Sequence, residues 1–162
     1  MDIEIRKLIP THGLWIIISR EMSYLESPRI VVMTSKIHPN LYWGSSFIFN
    51  GNPRGNQLGW ASNSNDKHFI TVYFIEAVRA NVVFISGTEN NTYPPTAFEV
   101  WASNDSMNWE LIKAFKEIKW EPNENKRFQF ENTKEYNYYK IAFVESNSSV
   151  FAISQLNFGE MG

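Results

Sequence analysis

The three imidazoles of this chain, His12, His38 and His68, are scattered and match no metal-ligand spacing. Cysteine is absent, which removes thiolate metal sites, disulfides and cysteine nucleophiles together. No Gly-x-Ser-x-Gly elbow, His-Glu-x-x-His pattern or glycine-rich phosphate cradle occurs. Glu121 and Glu124 are the type of carboxylate pair that cleaves glycosides when a fold converges them, but around Pro122-Asn123 they read as a solvated loop. Aromatic rings and side-chain amides remain as groups that loops could offer an outside ligand, the rings through their planes and the amides through hydrogen bonds. Two segments combine such groups. One runs from Glu89 through Asn90, Asn91 and Thr92 to Tyr93; the other is His38-Pro39-Asn40-Leu41-Tyr42-Trp43, with Arg54 and Asn56 downstream. Solvated loops and aromatics that cap the end of a fold account for the same residues.

The elements that must position these groups are strands. Tyr93-Pro94-Pro95 signals a turn and leads into Thr96-Ala97-Phe98-Glu99-Val100-Trp101-Ala102-Ser103. Alternation sends Phe98, Val100 and Ala102 to one face and Glu99, Trp101 and Ser103 to the other. Asn104-Asp105-Ser106 closes the strand, and Trp109 opens the next. Comparable runs are expected at Ile30–Met33, Phe69–Phe74, Asn81–Ile85, Trp109–Phe115, Arg127–Phe130, Tyr138–Val144 and Ala152–Phe158. Polar turns such as Asn50-Gly51-Asn52-Pro53, Glu121-Pro122-Asn123-Glu124 and Ser146-Asn147-Ser148-Ser149 separate several of them. A single helical turn fits Phe47 to Asn50, and no long helical period is evident. Short strands at this spacing indicate an all-β sandwich or barrel. Trp60, Trp101 and Trp109 are expected to pack within or against it rather than to meet a ligand.

Composition agrees. The 162 residues are 43% hydrophobic and 15% aromatic, enough to bury one domain core and rich in side chains that favour pleated sheets. A net charge of −2 leaves no basic field for a phosphate backbone, so nucleic acid is not an expected partner. No stretch is long enough to span a bilayer. Met1-Asp2-Ile3-Glu4-Ile5 lacks a basic leader and Leu14-Trp15-Ile16-Ile17-Ile18 is too short for one, so the chain reads as made in the cytoplasm without a signal peptide. The Asn-x-Ser/Thr patterns at Asn90, Asn104 and Asn147 then read as chance in an asparagine-rich chain.

An ordered set of pieces carries a family resemblance. Gly59-Trp60-Ala61-Ser62 precedes the strand Ile70-Thr71-Val72-Tyr73-Phe74. Val82–Ile85, Tyr93-Pro94, Phe98 to Asp105 and Trp109-Glu110 follow, then Phe128-Gln129-Phe130, Tyr136 to Ile141, and Ile153 to Phe158. The set resembles the discoidin, or coagulation-factor type C, domains of the galactose-binding-like superfamily, above all their bacterial and phage carbohydrate-binding members. The resemblance covers residues 30–160 and implies a jelly-roll β-sandwich that binds ligands with loops at one end. Residues 1–29 are then an N-terminal extension, an assembly or edge-strand segment, and 30–162 the discoidin-like sandwich. The resemblance also implies that an aromatic before the last strand stacks on sugar. Phe151 holds that position, with Asn147 among its flanking amides; the alternative is that Phe151 simply begins the strand and packs inward. The family's structural calcium resembles a Phe-Asp-Gly-Asn loop joined by an acidic residue on the last strand. Here the residues are Asn50, in Phe49-Asn50-Gly51-Asn52, and Gln155. Two amides replace two carboxylates, so no tight calcium is expected, and no other cofactor. The family's histidine–arginine pair for galactose-type ligands is not evident; Gly87-Thr88-Glu89 stands where the arginine would follow.

The expected function is non-catalytic carbohydrate binding and adhesion on a virion or cell surface. A phage tail, baseplate or capsid component that contacts host glycans fits the family's distribution and a chain that starts at Met1 without an attached enzyme. Protein partners or self-assembly would act through residues 1–29. The alternative is a structural virion or decoration protein that uses the sandwich for protein–protein assembly.

Overall fold

The computed structural model describes residues 5–8, 30–34, 60–62 and 64–161. They form antiparallel strands, with no helix among the described residues. The strands are β1 (Ile5–Leu8), β2 (Ile30–Thr34), β3 (Trp60–Ala61), β4 (His68–Val78), β5 (Val82–Ser86), β6 (Pro95–Ser103), β7 (Glu110–Phe115), β8 (Asn125–Gln129), β9 (Tyr136–Ser146), β10 (Ala152–Ile153) and β11 (Gln155–Met161). One layer has the order β1-β11-β5-β8, the other β2-β4-β9-β6-β7, and β10 pairs with β3 in a short ladder beside them. This is the jelly-roll β-sandwich that the turn spacing and the resemblance led one to expect.

Alternation builds the core. Phe98, Val100 and Ala102 of β6 are wholly buried, as are Ile70, Val72 and Phe74 of β4 and Tyr139 and Ile141 of β9. The facing layer contributes Val83, Ile85, Leu156 and Phe158. Rings close the gap between layers edge to face: Phe98 meets Phe128 at 4.9 Å, and Phe74 meets Phe158 at 6.4 Å. Edge-to-face packing suits the quadrupoles of such rings and adds to their large area burial.

The expected strands are present, and the longest of them extend past their apolar runs. β4 continues through Glu76 to Val78 and β9 through Glu145 to Ser146, because a ladder partner satisfies the backbone whatever the side chain. The run expected from Ala152 to Phe158 divides into β10 and β11. Ser154 sits at the break, its N–H donating to the Ser86 carbonyl at 2.9 Å and its hydroxyl to the Gly87 carbonyl at 2.7 Å. The short β3 carries no alternation long enough to read from sequence. Of residues 1–29, expected to be an extension, Ile5–Leu8 pairs with β11, Ile5 opposite Met161 and Leu8 opposite Gly159. The apolar run Leu14 to Ile18 and the helical turn at Phe47 to Asn50 lie outside the described residues.

Candidate functional site

One end of the sandwich gathers its loops into a tied row. β5, β7 and β9 end there, and β4, β6, β8 and β11 begin there. β2 also ends there, with Thr34 opposite Ile70. The connecting loops are cross-linked chiefly through backbone groups. Ser62 and Phe151 exchange two bonds, Ser62 N–H to the Phe151 carbonyl and Phe151 N–H to Ser62 Oγ, each 2.8 Å. Asn65 Nδ2 donates to the Ser148 carbonyl at 3.2 Å. Ala152 N–H donates to the Tyr93 carbonyl at 3.0 Å. Asn91 Nδ2 donates to the Trp120 carbonyl, and Asn123 N–H to the Thr88 carbonyl, both at 2.9 Å. Trp120 is anchored in turn by its Nε1, which donates to the Pro95 carbonyl at 2.8 Å. Four loops thus lie side by side, each held by its neighbour. Such fixation lowers the ordering cost of binding.

The rim of this row is polar. Asn65, Asp66, Glu89, Asn90, Asn91, Asn123, Asn147 and Ser149 are exposed, and Tyr93 is half-buried. The Glu124 carboxyl is held below its usual range by the Glu121 N–H, with Lys126 assisting, so it stays an anion that ties its own turn. Lys126 Nζ in turn lies 5.5 Å from the Trp120 ring centroid.

The residues expected to bind ligand fall into three groups. Asn90, Asn91, Tyr93 and Asn147 all belong to the tied end, although two carry structural duties as well. Asn90 Oδ1 accepts from the Thr92 N–H at 3.0 Å and the Thr92 hydroxyl at 2.6 Å, an Asx-type turn. Asn91 is committed to Trp120 as described. His38, Tyr42, Trp43 and Arg54 lie outside the described residues, as does Asn50.

Phe151 forms the third group and is corrected. It is 0% exposed, with its ring 5.3 Å from Phe143 and 6.3 Å from His68. A ring with no accessible face cannot stack on a sugar. The cause is long-range: the paired bonds to Ser62, 89 positions away, fix Phe151 directly before β10, and its ring packs on Phe143, on which Trp60 stacks at 4.8 Å. His68 is also part of this end-core, its Nε2 2.9 Å from Ser64 Oγ. Gln155, the described part of the implied calcium position, is 4% exposed and opposite Ser86. An amide carbonyl there brings an oxygen but no charge, and calcium affinity is tuned by the count of charged ligands. No group of three or more His, Cys, Asp or Glu among the described residues could hold a metal ion.

A further surface was missed in sequence. Trp60 packs inside the sandwich, but Trp101 and Trp109 are half-buried on the outer side of the five-stranded layer, around Lys140. The alternation that sent Trp101 away from Phe98 and Val100 was the signal. What sequence did not show was that the β6–β9 register sets Lys140 opposite Trp101.

Comparison with known proteins now adds the family. The model of the F5/8 type C domain matches residues 34–156. No curated protein sequence matches the chain. Among solved structures, a CBM32 module of Clostridium perfringens in complex with GalNAc-β-1,3-galactose is 14% identical with a TM-score of 0.71, covering 94% of this chain and 99% of its own. The family 32 module of C. perfringens NanJ in complex with galactose is 17% identical with a TM-score of 0.69, covering 95% and 98%. Chitosan-binding module 1 from a Paenibacillus chitosanase/glucanase is 16% identical with a TM-score of 0.62, covering 79% and 92%. At such identities these likenesses speak for the fold. With the family model spanning most of the sequence and the sandwich in place, the chain belongs to the F5/8 type C domain family.

Proposed function

We propose that the chain is a non-catalytic carbohydrate-binding module that holds cell-surface glycan or polysaccharide at the tied loop end. The observation that carries this reading is the row of cross-linked loops with an amide-rich rim on a rigid sandwich. Asn147 and Tyr93 are the principal contacts in this proposal, with Asn90 and Asn91 beside them and His38, Tyr42, Trp43 and Arg54 contributed by the segment after β2. The structurally similar modules support a sugar ligand, since two are in complex with galactose-containing sugars and a third is named for binding chitosan. An open rim buries little of each sugar, so useful adhesion relies on several copies acting together. The setting is a cell or virion surface, and those three relatives, all bacterial, weigh toward the former.

A glycan array followed by calorimetry tests this. Asn147→Ala and Tyr93→Ala should each weaken the best array ligand by about tenfold, the loss of one good contact, with an unchanged thermal midpoint. Variants that bind like wild type would remove the loop-end assignment.

The structural alternative, assembly through the sandwich in a virion or decoration protein, is favoured by one observation. Phe69, Leu111 and Val144 are large, exposed and apolar on the outer side of the five-stranded layer. Sedimentation separates the readings: a monomer at all concentrations speaks against self-assembly.

A further inference from the structure

The outer side of the five-stranded layer carries a row of rings that the loop end does not use. Tyr73 of β4 lies opposite Tyr138 of β9, and the two stack at 4.7 Å with 26° between planes. Trp109, just before β7, stands edge-on to Tyr138 at 6.2 Å. Lys140 of β9 lies opposite Trp101 of β6, its Nζ 4.2 Å from the Trp109 centroid and 5.8 Å from that of Trp101. The indole N–H groups are already used within the chain: Trp101 Nε1 donates to Glu99 Oε1 and Trp109 Nε1 to the Ser106 carbonyl, both at 3.1 Å. What these residues offer a partner is therefore ring planes and the Lys140 ammonium, with exposed Leu111 opposite Trp101 beside them.

That ammonium decides the class of occupant. Neither ion pair among the described residues involves Lys140. Its surroundings are two indoles, with the Glu99 carboxylate near enough to be felt but turned to Trp101. A purely apolar protein face laid over it would bury an unpaired charge, which is costly. The fitting partner brings a carboxylate to Lys140 and a weakly apolar plane to the rings. A carboxylated pyranose does both. The rings span β4, β9 and β6, about 10 Å between the outer strands at ordinary sheet spacing, so the surface suits the run of a chain rather than its end.

We propose that Tyr73, Tyr138, Trp109, Trp101 and Lys140 form a second binding surface, for acidic polysaccharide with uronic-acid-type residues. It goes beyond the loop-end site and does not depend on it.

The test is electrophoresis of the whole chain through gels containing polygalacturonate or neutral dextran. Wild type should be retarded by polygalacturonate alone, less so at high salt because the charge contact is exposed to screening. Lys140→Gln and Trp109→Ala should each lower the apparent affinity by about tenfold, while Asn147→Ala leaves it unchanged. Melting curves identify a variant that fails to fold. Polygalacturonate should also change wild-type tryptophan emission, a readout that needs no variant. Equal retardation in dextran, undiminished binding by Lys140→Gln, or self-association abolished by Trp101→Ala would overturn the proposal.

Discussion

At the residue scale, burial and hydrogen bonding give sharp expectations for three side chains. Phe151 is a core residue wedged against Phe143 and His68. Phe151→Ala should therefore cost about 3–5 kcal/mol of stability, the usual loss for a buried phenylalanine, measured by urea unfolding. If Phe151 were a binding ring, the same change would spare stability and abolish binding. Asp105 organises the β6–β7 turn. Its Oδ1 accepts the N–H groups of Met107 at 2.9 Å and Asn108 at 2.8 Å. These bonds hold its carboxyl well below the usual carboxylate range. A depressed value favours the folded state above the unfolded pKa of about 3.9, and that contribution is lost as pH falls toward the folded value. Thermal midpoints between roughly pH 5 and pH 2 should fall more steeply for wild type than for Asp105→Asn. Parallel curves would contradict this. Tyr139 is buried, its hydroxyl donating to the Val78 carbonyl at 2.6 Å and accepting from the Ala80 N–H at 3.1 Å. Burial is the main cause that pushes its pKa up to about 12. Tyr139→Phe strands the Ala80 N–H and should cost about 1–3 kcal/mol, read from the same unfolding curves.

At the element scale, the strand ladder was legible and the tips were not. Alternation at Phe98 to Ser103 gave the inward and outward faces of β6 correctly, because a period of two is local information. Ser103 is outward yet buried, since its hydroxyl accepts the Asp105 and Ser106 N–H groups in the turn that follows. β3 was invisible because two residues carry no period; its pairing with β10 comes from residues 91 positions apart, Ala61 and Ala152. For Phe151 the sequence left sugar stacking and inward packing both open, for the same reason. Family likeness supplied its position before the last strand, but only the bond exchange with Ser62 decides which way the ring points. The amide loops, by contrast, were legible as loops, and Asn90, Asn91, Tyr93 and Asn147 do come to one end. β1 covers one side of β11, so deletion of residues 5–8 uncovers an unpaired strand edge. The shortened chain should aggregate faster on warming, followed by light scattering; aggregation at the wild-type rate would show that β1 does not protect that edge.

At the scale of the whole molecule, a rigid double layer presents two chemically distinct surfaces. The loop end presents amides and hydroxyls, and the outer side of the five-stranded layer presents rings around Lys140 with exposed apolar side chains beside them. The two are separable, because a neutral ligand should perturb one and a polyanion the other. The most direct measurement of the central claim is a titration of the isotopically labelled chain with the best neutral glycan from the array, followed by backbone amide shifts. Perturbations should concentrate in residues 64–67, 87–93 and 146–150 and spare Tyr73, Trp101 and Lys140. Shifts spread over the sheet with the loop end silent, or no shifts with any array ligand, would contradict a module that grips sugar with its tied loops.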